Sequence, residues 1–320
     1  MYKDFYKLKR YPFEITPDPS FLFATEKHKN ALAALYEGVL RQKGFVVLTG
    51  EVGTGKTLLL RCLMQLFKQD RDVAYAYVFN NSLSPVEFLQ NVLSDFGLRG
   101  LNGNKGELLR ELTNYVVGRG QRNLTTFLVV DEAHQLSAEI LEEIRLLTNL
   151  ETPQRKLLQI LLSGQPELDE KLDSSELRQL KQRIAFRAQL APLDLNETKG
   201  YIEYRLQHAG ATAEALTLFP EPTISAIHQR SHGIPRLINV VCENALISTY
   251  AKQVWSVAPE IIEKVADDLR LGITLEPEPV TISAGPKAST GEAMDYQQAA
   301  KLLLELHASM QKSRPSLRFL

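Results

Sequence analysis

Residues 50–57 read Gly50-Glu51-Val52-Gly53-Thr54-Gly55-Lys56-Thr57 and fill every fixed position of the pattern G-x-x-x-x-G-K-[ST]. The flanks fit it: Phe45–Thr49 reads as an apolar strand and Leu58–Phe67 as a helix. Glycines let successive backbone N–H groups curl around phosphate oxygens without Cβ clashes, and the following helix offers its positive end to the same anion. The pattern therefore predicts a loop, Gly50 to Leu58, that cradles ATP phosphates. Lys56 would contact the β- and γ-phosphates, and the Thr57 hydroxyl would ligate Mg²⁺. The plain alternative is a glycine-rich turn with no nucleotide; strand, helix and complete motif together argue against it.

The rest of the first two-thirds of the chain supports an α/β fold. Short apolar runs stand at Phe45–Leu48, Val73–Phe79, Phe127–Val130, Leu157–Leu162 and Ala188–Leu190. They suit strands of a parallel sheet covered on both faces. Helical spacing falls between them at Lys56–Lys68, Ser84–Phe96, Gly106–Gly118 and Ala138–Leu150. This alternation predicts a five-stranded parallel sheet flanked by helices, joined by right-handed crossovers. From Asn196 to Arg270 the strand signals stop. Helical patterns at Glu197–Ala209, Pro222–Arg230, Pro235–Ala251 and Pro259–Arg270 predict a small all-helical lid. The boundaries expected are 1–193 for the α/β domain with an N-terminal extension and 194–270 for the lid. A Pro/Gly/Ser/Thr-rich linker covers 271–292, and a C-terminal amphipathic helix and tail cover 293–320.

Composition narrows the class. The chain's 320 residues allow about two domains. Two cysteines, Cys62 and Cys242, cannot build a disulfide framework, which favours a reducing, cytoplasmic setting. No apolar run reaches the roughly 18–20 residues that span a bilayer, so any membrane association is expected through a partner. A net charge of −1 gives no global attraction to nucleic acid.

Four further segments carry chemistry. Phe127 to Val130 ends in Asp131-Glu132-Ala133-His134. A carboxylate at a strand tip beside a phosphate loop suits the Mg²⁺ shell, so Asp131 takes that role, and Glu132 can activate the attacking water. His134 reads as a surface or supporting residue. The strand at Leu157–Leu162 ends in Ser163-Gly164-Gln165. Ser163 and Gln165 are both candidates to orient water near the γ-phosphate, and an ordinary polar strand end stays open. Residues 177–187 hold four cations, Arg178, Lys181, Arg183 and Arg187, and no acid. Arg183, with Arg178 as alternate, could be an arginine finger for a neighbouring subunit; a nucleic-acid patch or a solvated helix face are the other readings. Finally, His232-Gly233-Ile234-Pro235-Arg236 opens a helix, where Pro235 suits the first turn and Arg236 could reach back to the γ-phosphate.

A phosphate loop, an Asp-Glu strand end, a polar strand end, a late arginine and a Gly-x-Pro-Arg lid, in that order over about residues 40–270, resemble an AAA+ ATPase. Tyr11-Pro12-Phe13, Thr16-Pro17-Asp18-Pro19, Phe21-Leu22-Phe23 and His28 narrow the resemblance to the ExeA-like, general secretion pathway A-type ATPases. Asp131-Glu132-Ala133-His134, Leu146-Leu147-Thr148-Asn149-Leu150-Glu151 and Gly164-Gln165-Pro166-Glu167-Leu168 fit the same family, and the transposition ATPases share its motifs. The resemblance implies an AAA+ sheet with a helical lid, and Tyr11, Pro12 and His28 near the adenine. It also implies ATP at the junctions of a ring-like homo-oligomer, with Arg183 acting in trans. Secretion members often carry a membrane segment and a peptidoglycan-binding domain after the core; here only the linker and a short helix follow, so a cytoplasmic relative tied to secretion, pilus or exopolysaccharide export is expected.

Three functions compete on these residues: an Mg²⁺-dependent ATPase that assembles or remodels a protein client of an export apparatus, an ATP-gated DNA-binding oligomer, and a nucleotide switch that barely hydrolyses.

Overall fold

The computed structural model describes residues 2–16, 18–68, 70–79, 83–99 and 102–271. Apart from residue 271, the linker and C-terminal helix expected over 271–320 lie outside the described residues. The chain opens with a one-turn helix, α1 (Tyr2–Phe5), followed by α2 (Glu26–Leu40), β1 (Phe45–Gly50), α3 (Lys56–Lys68), β2 (Val73–Val78), α4 (Pro85–Asp95) and α5 (Lys105–Gln121). β3 (Thr125–Val130), α6 (Ala138–Leu147), β4 (Leu158–Gly164), α7 (Glu167–Asp173), α8 (Arg178–Lys181) and β5 (Ile184–Leu190) complete the α/β part. Then come α9 (Leu195–His208), α10 (Glu221–Ser231), α11 (Pro235–Ala251) and α12 (Pro259–Asp268).

The chain divides into two compact units. One comprises described residues between 18 and 191; the other combines residues 2–16 with 192–271.

In the first unit all five strands are parallel, in the order β2-β3-β4-β1-β5. The alternation of side chains along each strand makes two cores. Phe45, Val47, Leu128, Val130, Ile160 and Leu162 pack against α4, α5 and α6. Val46, Leu48, Phe127, Val129 and Leu161 pack against α2 and α3. β1, β3 and β4 are therefore buried on both faces, which is why they read as unbroken apolar runs. Helix starts are written locally. Ser84 with Glu87 and Asn104 with Glu107 form reciprocal capping boxes for α4 and α5, and Thr25 caps α2.

Two expectations need correction. β5 starts at Ile184, inside the basic segment, and not at Ala188. It is an edge strand whose residues alternate between half-buried and exposed, so its charges mask the period of two. The sequence suggests an N-terminal segment that extends the α/β domain, yet residues 2–16 pack in the helical unit. The buried Tyr6 donates toward the Leu246 and Val254 carbonyls at 3.4 and 3.3 Å. Arg205 donates to the Pro12 and Glu14 carbonyls at 2.5 and 2.9 Å.

The helical unit has one tight joint. Leu193 donates its N–H to the Gly233 carbonyl at 2.9 Å. A Cβ on Gly233, whose φ is +71°, would lie 1.9 Å from the Leu193 carbonyl oxygen. Only glycine fits there.

Candidate functional site

The carboxyl ends of β1, β3 and β4 are adjacent in the sheet, which places the loop after Gly50, the Asp131-Glu132 pair and the Ser163–Gln165 segment along one edge. Open parallel sheets bind ligands at this edge.

The loop after β1 is shaped by its glycines. A Cβ on Gly50 would meet the Leu190 carbonyl at 2.5 Å, and Gly55 sits at φ +102°. The loop closes on itself where Thr54 donates its hydroxyl and its N–H to the Glu51 carbonyl at 2.8 and 3.3 Å. Glu51 and Val52 are exposed, Thr54 is buried, and Gly53, Thr57 and Leu58 are half-buried. The N-terminal amides of the 13-residue α3 follow at once; the first of them have no carbonyl one turn earlier to bond.

Lys56 is 5% exposed and folds over the loop, donating to the Gly50 and Glu51 carbonyls at 2.7 and 3.0 Å. Burial draws its ammonium below the ordinary lysine range, while Glu132, Asp131, Glu51 and Glu167 pull the other way. A buried cation at a loop of backbone donors suits a polyanion.

Asp131 is only 2% exposed. Its Oδ2 accepts from the Thr57 hydroxyl at 2.9 Å and from the Tyr77 hydroxyl at 2.8 Å. Its Oδ1 accepts from the Glu132 N–H at 3.0 Å. Burial and the Asp131 charge hold the Tyr77 phenol well above its usual range, so it stays a donor. A hydroxyl and a carboxylate meeting at one point are the hard oxygen donors that Mg²⁺ takes alongside phosphate and water. This donor set fits the metal implied by the phosphate loop. Among the described residues no group of three or more His, Cys, Asp or Glu is placed to hold a metal ion.

Glu132 adopts left-handed backbone angles, φ 52° and ψ 34°, uncommon for a non-glycine residue. His134 lies 3.5 Å from the Glu132 carboxylate through Nδ1 and 2.9 Å from the Gln165 side-chain amide through Nε2. Ser163 is fully buried and its hydroxyl has no hydrogen-bond partner among the described residues, whereas Gln165 is half-buried. His28, 5% exposed, lies between the Thr25 hydroxyl at 2.7 Å and the Thr54 carbonyl at 3.3 Å. It therefore braces the loop at Thr54.

The remaining candidates are placed as follows. Arg183 is half-buried and donates to the Thr148 hydroxyl of its own chain. Arg178 is exposed on α8. Arg187 pairs with Asp169 and Asp173, and Lys181 with Asp173. Arg236 is exposed in the first turn of α11, in the helical unit. Tyr11 and Pro12 also belong to that unit, Tyr11 meeting the Tyr2 ring edge-on at 5.3 Å. Cys62 and Cys242 are buried, and burial pushes the Cys62 thiol up to about 12.

Sequence reasoning missed two residues. Tyr77 is one residue from the end of β2, and only the β2–β3 register, which pairs it with Val129, brings it to Asp131. Lys171 donates to the His134 and Leu136 carbonyls at 2.9 and 2.6 Å and so clamps the turn after Glu132. Neither had a motif to betray it.

Comparison with known proteins places this geometry. Residues 14–172 match the AAA domain family AAA_22. This stretch of the chain is an AAA domain. Over 257 residues the chain is 41% identical to "General secretion pathway protein A" of Aeromonas hydrophila, a match that takes in 79% of this chain and 45% of that protein. The chain thus spans about half the length of this relative. Solved structures share the fold at low identity. The Aeropyrum pernix ORC2 protein superposes with a TM-score of 0.60 at 19% identity, over 81% of this chain and 72% of that one. Drosophila ORC bound to DNA gives 0.61 at 18%, over 81% and 64%. The Thermotoga maritima RuvB Holliday junction branch migration motor gives 0.52 at 17%, over 77% and 70%. The P-loop NTPase fold of the α/β unit follows from these likenesses and from the sheet itself. Among the described residues no helix is long and apolar enough to cross a membrane.

Proposed function

We propose that this chain is a cytoplasmic, Mg²⁺-dependent ATPase whose cycle assembles or remodels a protein client of a secretion or export apparatus. The observation that carries the reading is the meeting of the Thr57 hydroxyl with Asp131 Oδ2, 2.9 Å apart and one residue from the buried Lys56. In this reading the amides from Gly50 to Leu58 hold the phosphates, and Thr57 and Asp131 hold Mg²⁺. The metal would supply charge neutralisation on the phosphate oxygens. Lys56 turns from its own loop carbonyls to the β- and γ-phosphates. Glu132 takes the proton of the attacking water, which Gln165 or Ser163 orients; the half-buried Gln165 is the better placed of the two. Arg236 and, from a neighbouring subunit of a ring-like homo-oligomer, Arg183 add positive charge as the γ-phosphate leaves. For Arg183 this requires giving up Thr148, and the exposed Arg178 is the alternate. Tyr11, Pro12 and His28 are assigned to the adenine, and His28 also braces the loop at Thr54.

The relative's name motivates the secretion client. DNA is the second reading, motivated by the likeness to Drosophila ORC, whose structure is bound to DNA. It is weakened here because Lys181 and Arg187 of the basic segment are neutralised by Asp169 and Asp173. Phosphate release by purified protein tests the enzyme reading. Wild-type protein should turn over ATP only with Mg²⁺, and Glu132→Gln should retain ATP while releasing phosphate at least a hundredfold more slowly. Wild-type turnover by Glu132→Gln would refute the assignment of the base.

A further inference from the structure

Tyr77 belongs to no motif, yet its hydroxyl meets the same carboxylate oxygen as Thr57. An ionised carboxylate has about four lone-pair positions, two on each oxygen. Donors among the described residues take three of those on Asp131. The Thr57 and Tyr77 hydroxyls donate to Oδ2 at 2.9 and 2.8 Å, and the Glu132 N–H donates to Oδ1 at 3.0 Å. Oδ2 is thus filled from within the fold, and the position left over is on Oδ1.

The main chain fixes this contact. Tyr77 pairs with Val129 across β2 and β3. Its N–H, on the outer edge of the sheet, donates to the Asp95 carboxylate at the end of α4 at 2.5 Å. From the other side, the Asp131 N–H donates to the Val78 carbonyl at 2.9 Å. The Tyr77 ring packs against the core that holds Phe127 and Val129. Phenol and carboxylate are therefore held in register by the strands that carry them.

A filled Oδ2 matters because divalent cations use carboxylates differently. Ca²⁺ takes about six to eight oxygens in a loose shell and accepts a carboxylate through one oxygen or both. Mg²⁺ demands a tight octahedron and keeps several waters. With Oδ2 occupied twice, Asp131 has one oxygen to offer, which suits the smaller ion. Offering both would cost Oδ2 a hydrogen bond to its charge, and such bonds are the strong ones.

We infer that Tyr77 determines which divalent cation supports ATP binding at this site, by keeping Asp131 Oδ2 occupied so that the carboxylate serves as a one-oxygen donor favouring Mg²⁺ over Ca²⁺. The inference rests on the ATPase reading above. Tyr77 is a positioning residue in it, acting through Asp131.

The test is isothermal titration of wild type and Tyr77→Phe with ATP, at saturating Mg²⁺ alone and at saturating Ca²⁺ alone. Wild type should bind ATP about tenfold more tightly with Mg²⁺. Tyr77→Phe frees one position on Oδ2, so the preference should shift toward Ca²⁺ by about tenfold, the worth of one hydrogen bond to a charged group. A purely structural phenol would change both affinities by the same factor; an unchanged ratio overturns the inference, as does a ratio moved further toward Mg²⁺. Should Tyr77→Phe fail to fold, wild type decides alone: equal affinities with the two cations sink the proposal. No heat from wild type with either cation would instead refute the phosphate-loop reading, whereas binding by wild type with an unmoved ratio in the variant refutes only the role of Tyr77.

Discussion

Tyr77→Phe removes one oxygen atom and tests whether Asp131 is organised as the structure shows. The phenol donates at 2.8 Å to an oxygen of a carboxylate that is 2% exposed. Hydrogen bonds to charged groups contribute roughly 1.5–3 kcal/mol each. Two donors remain, the Thr57 hydroxyl at 2.9 Å and the Glu132 N–H at 3.0 Å, so the carboxylate is not stranded. The loss should fall at the low end, about 1.5–2 kcal/mol. For a unit of this size, about 2–4 °C per kcal/mol predicts a melting shift of about 3–8 °C. The assay is thermal and urea unfolding followed by far-ultraviolet circular dichroism, repeated in an Asp131→Asn background. There the phenol meets a neutral amide oxygen, and the same substitution should cost less than about 1 kcal/mol. Equal costs in both backgrounds would show that the charge of Asp131 adds nothing to this bond, and the charge-assisted role argued for the carboxylate would be wrong.

Other positions give independent tests. Glu132→Asn places a residue that tolerates left-handed angles at φ 52°; it should raise stability by about 0.5–1 kcal/mol in chemical unfolding while abolishing phosphate release. Gly233→Ala drives a Cβ to 1.9 Å from the Leu193 carbonyl at positive φ; destabilisation of about 3 kcal/mol or more is expected in urea titrations, and a loss under 1 kcal/mol would contradict the joint. Glu243 has its carboxyl pKa raised, first by burial, with the Tyr2 hydroxyl donating to it at 2.6 Å and opposing the rise. Its folded pKa lies above the unfolded one, so its contribution is present below about pH 4.5 and is lost as pH rises through the folded value. Glu243→Gln should therefore melt higher than wild type near pH 7 and equal it near pH 4; a constant difference would rule out the charge as the cause.

What the chain announces and what it conceals separate by range. The loop, the acid pair and the three doubly buried strands were legible because each is written in consecutive residues. α2 is hard to see in the sequence, although Thr25 caps it and Ala31, Leu32, Leu35 and Val39 follow at helical spacing. Its polar opening, Glu26 to Asn30, hid an apolar stripe that begins a turn later. β5 reads short in the sequence because its first half, up to the exposed Arg187, lies in the basic segment 177–187, which also suits a solvated helix face. Tyr77 and Lys171 could not be found, since their partners are fixed by strand register and by a turn more than thirty residues away. The N-terminal segment shows the same limit: Tyr6 bonds carbonyls some 240 positions along the chain.

Isothermal titration of the purified chain with ATP, with and without Mg²⁺, bears most directly on the claim that residues 50–58 hold a triphosphate against Asp131. Wild-type protein should bind one ATP per chain and bind it more tightly with Mg²⁺. Thr57→Val should lose that metal dependence, and Lys56→Ala should show no heat. Binding by Lys56→Ala equal to wild type, or no heat from wild type under any of these conditions, would contradict it.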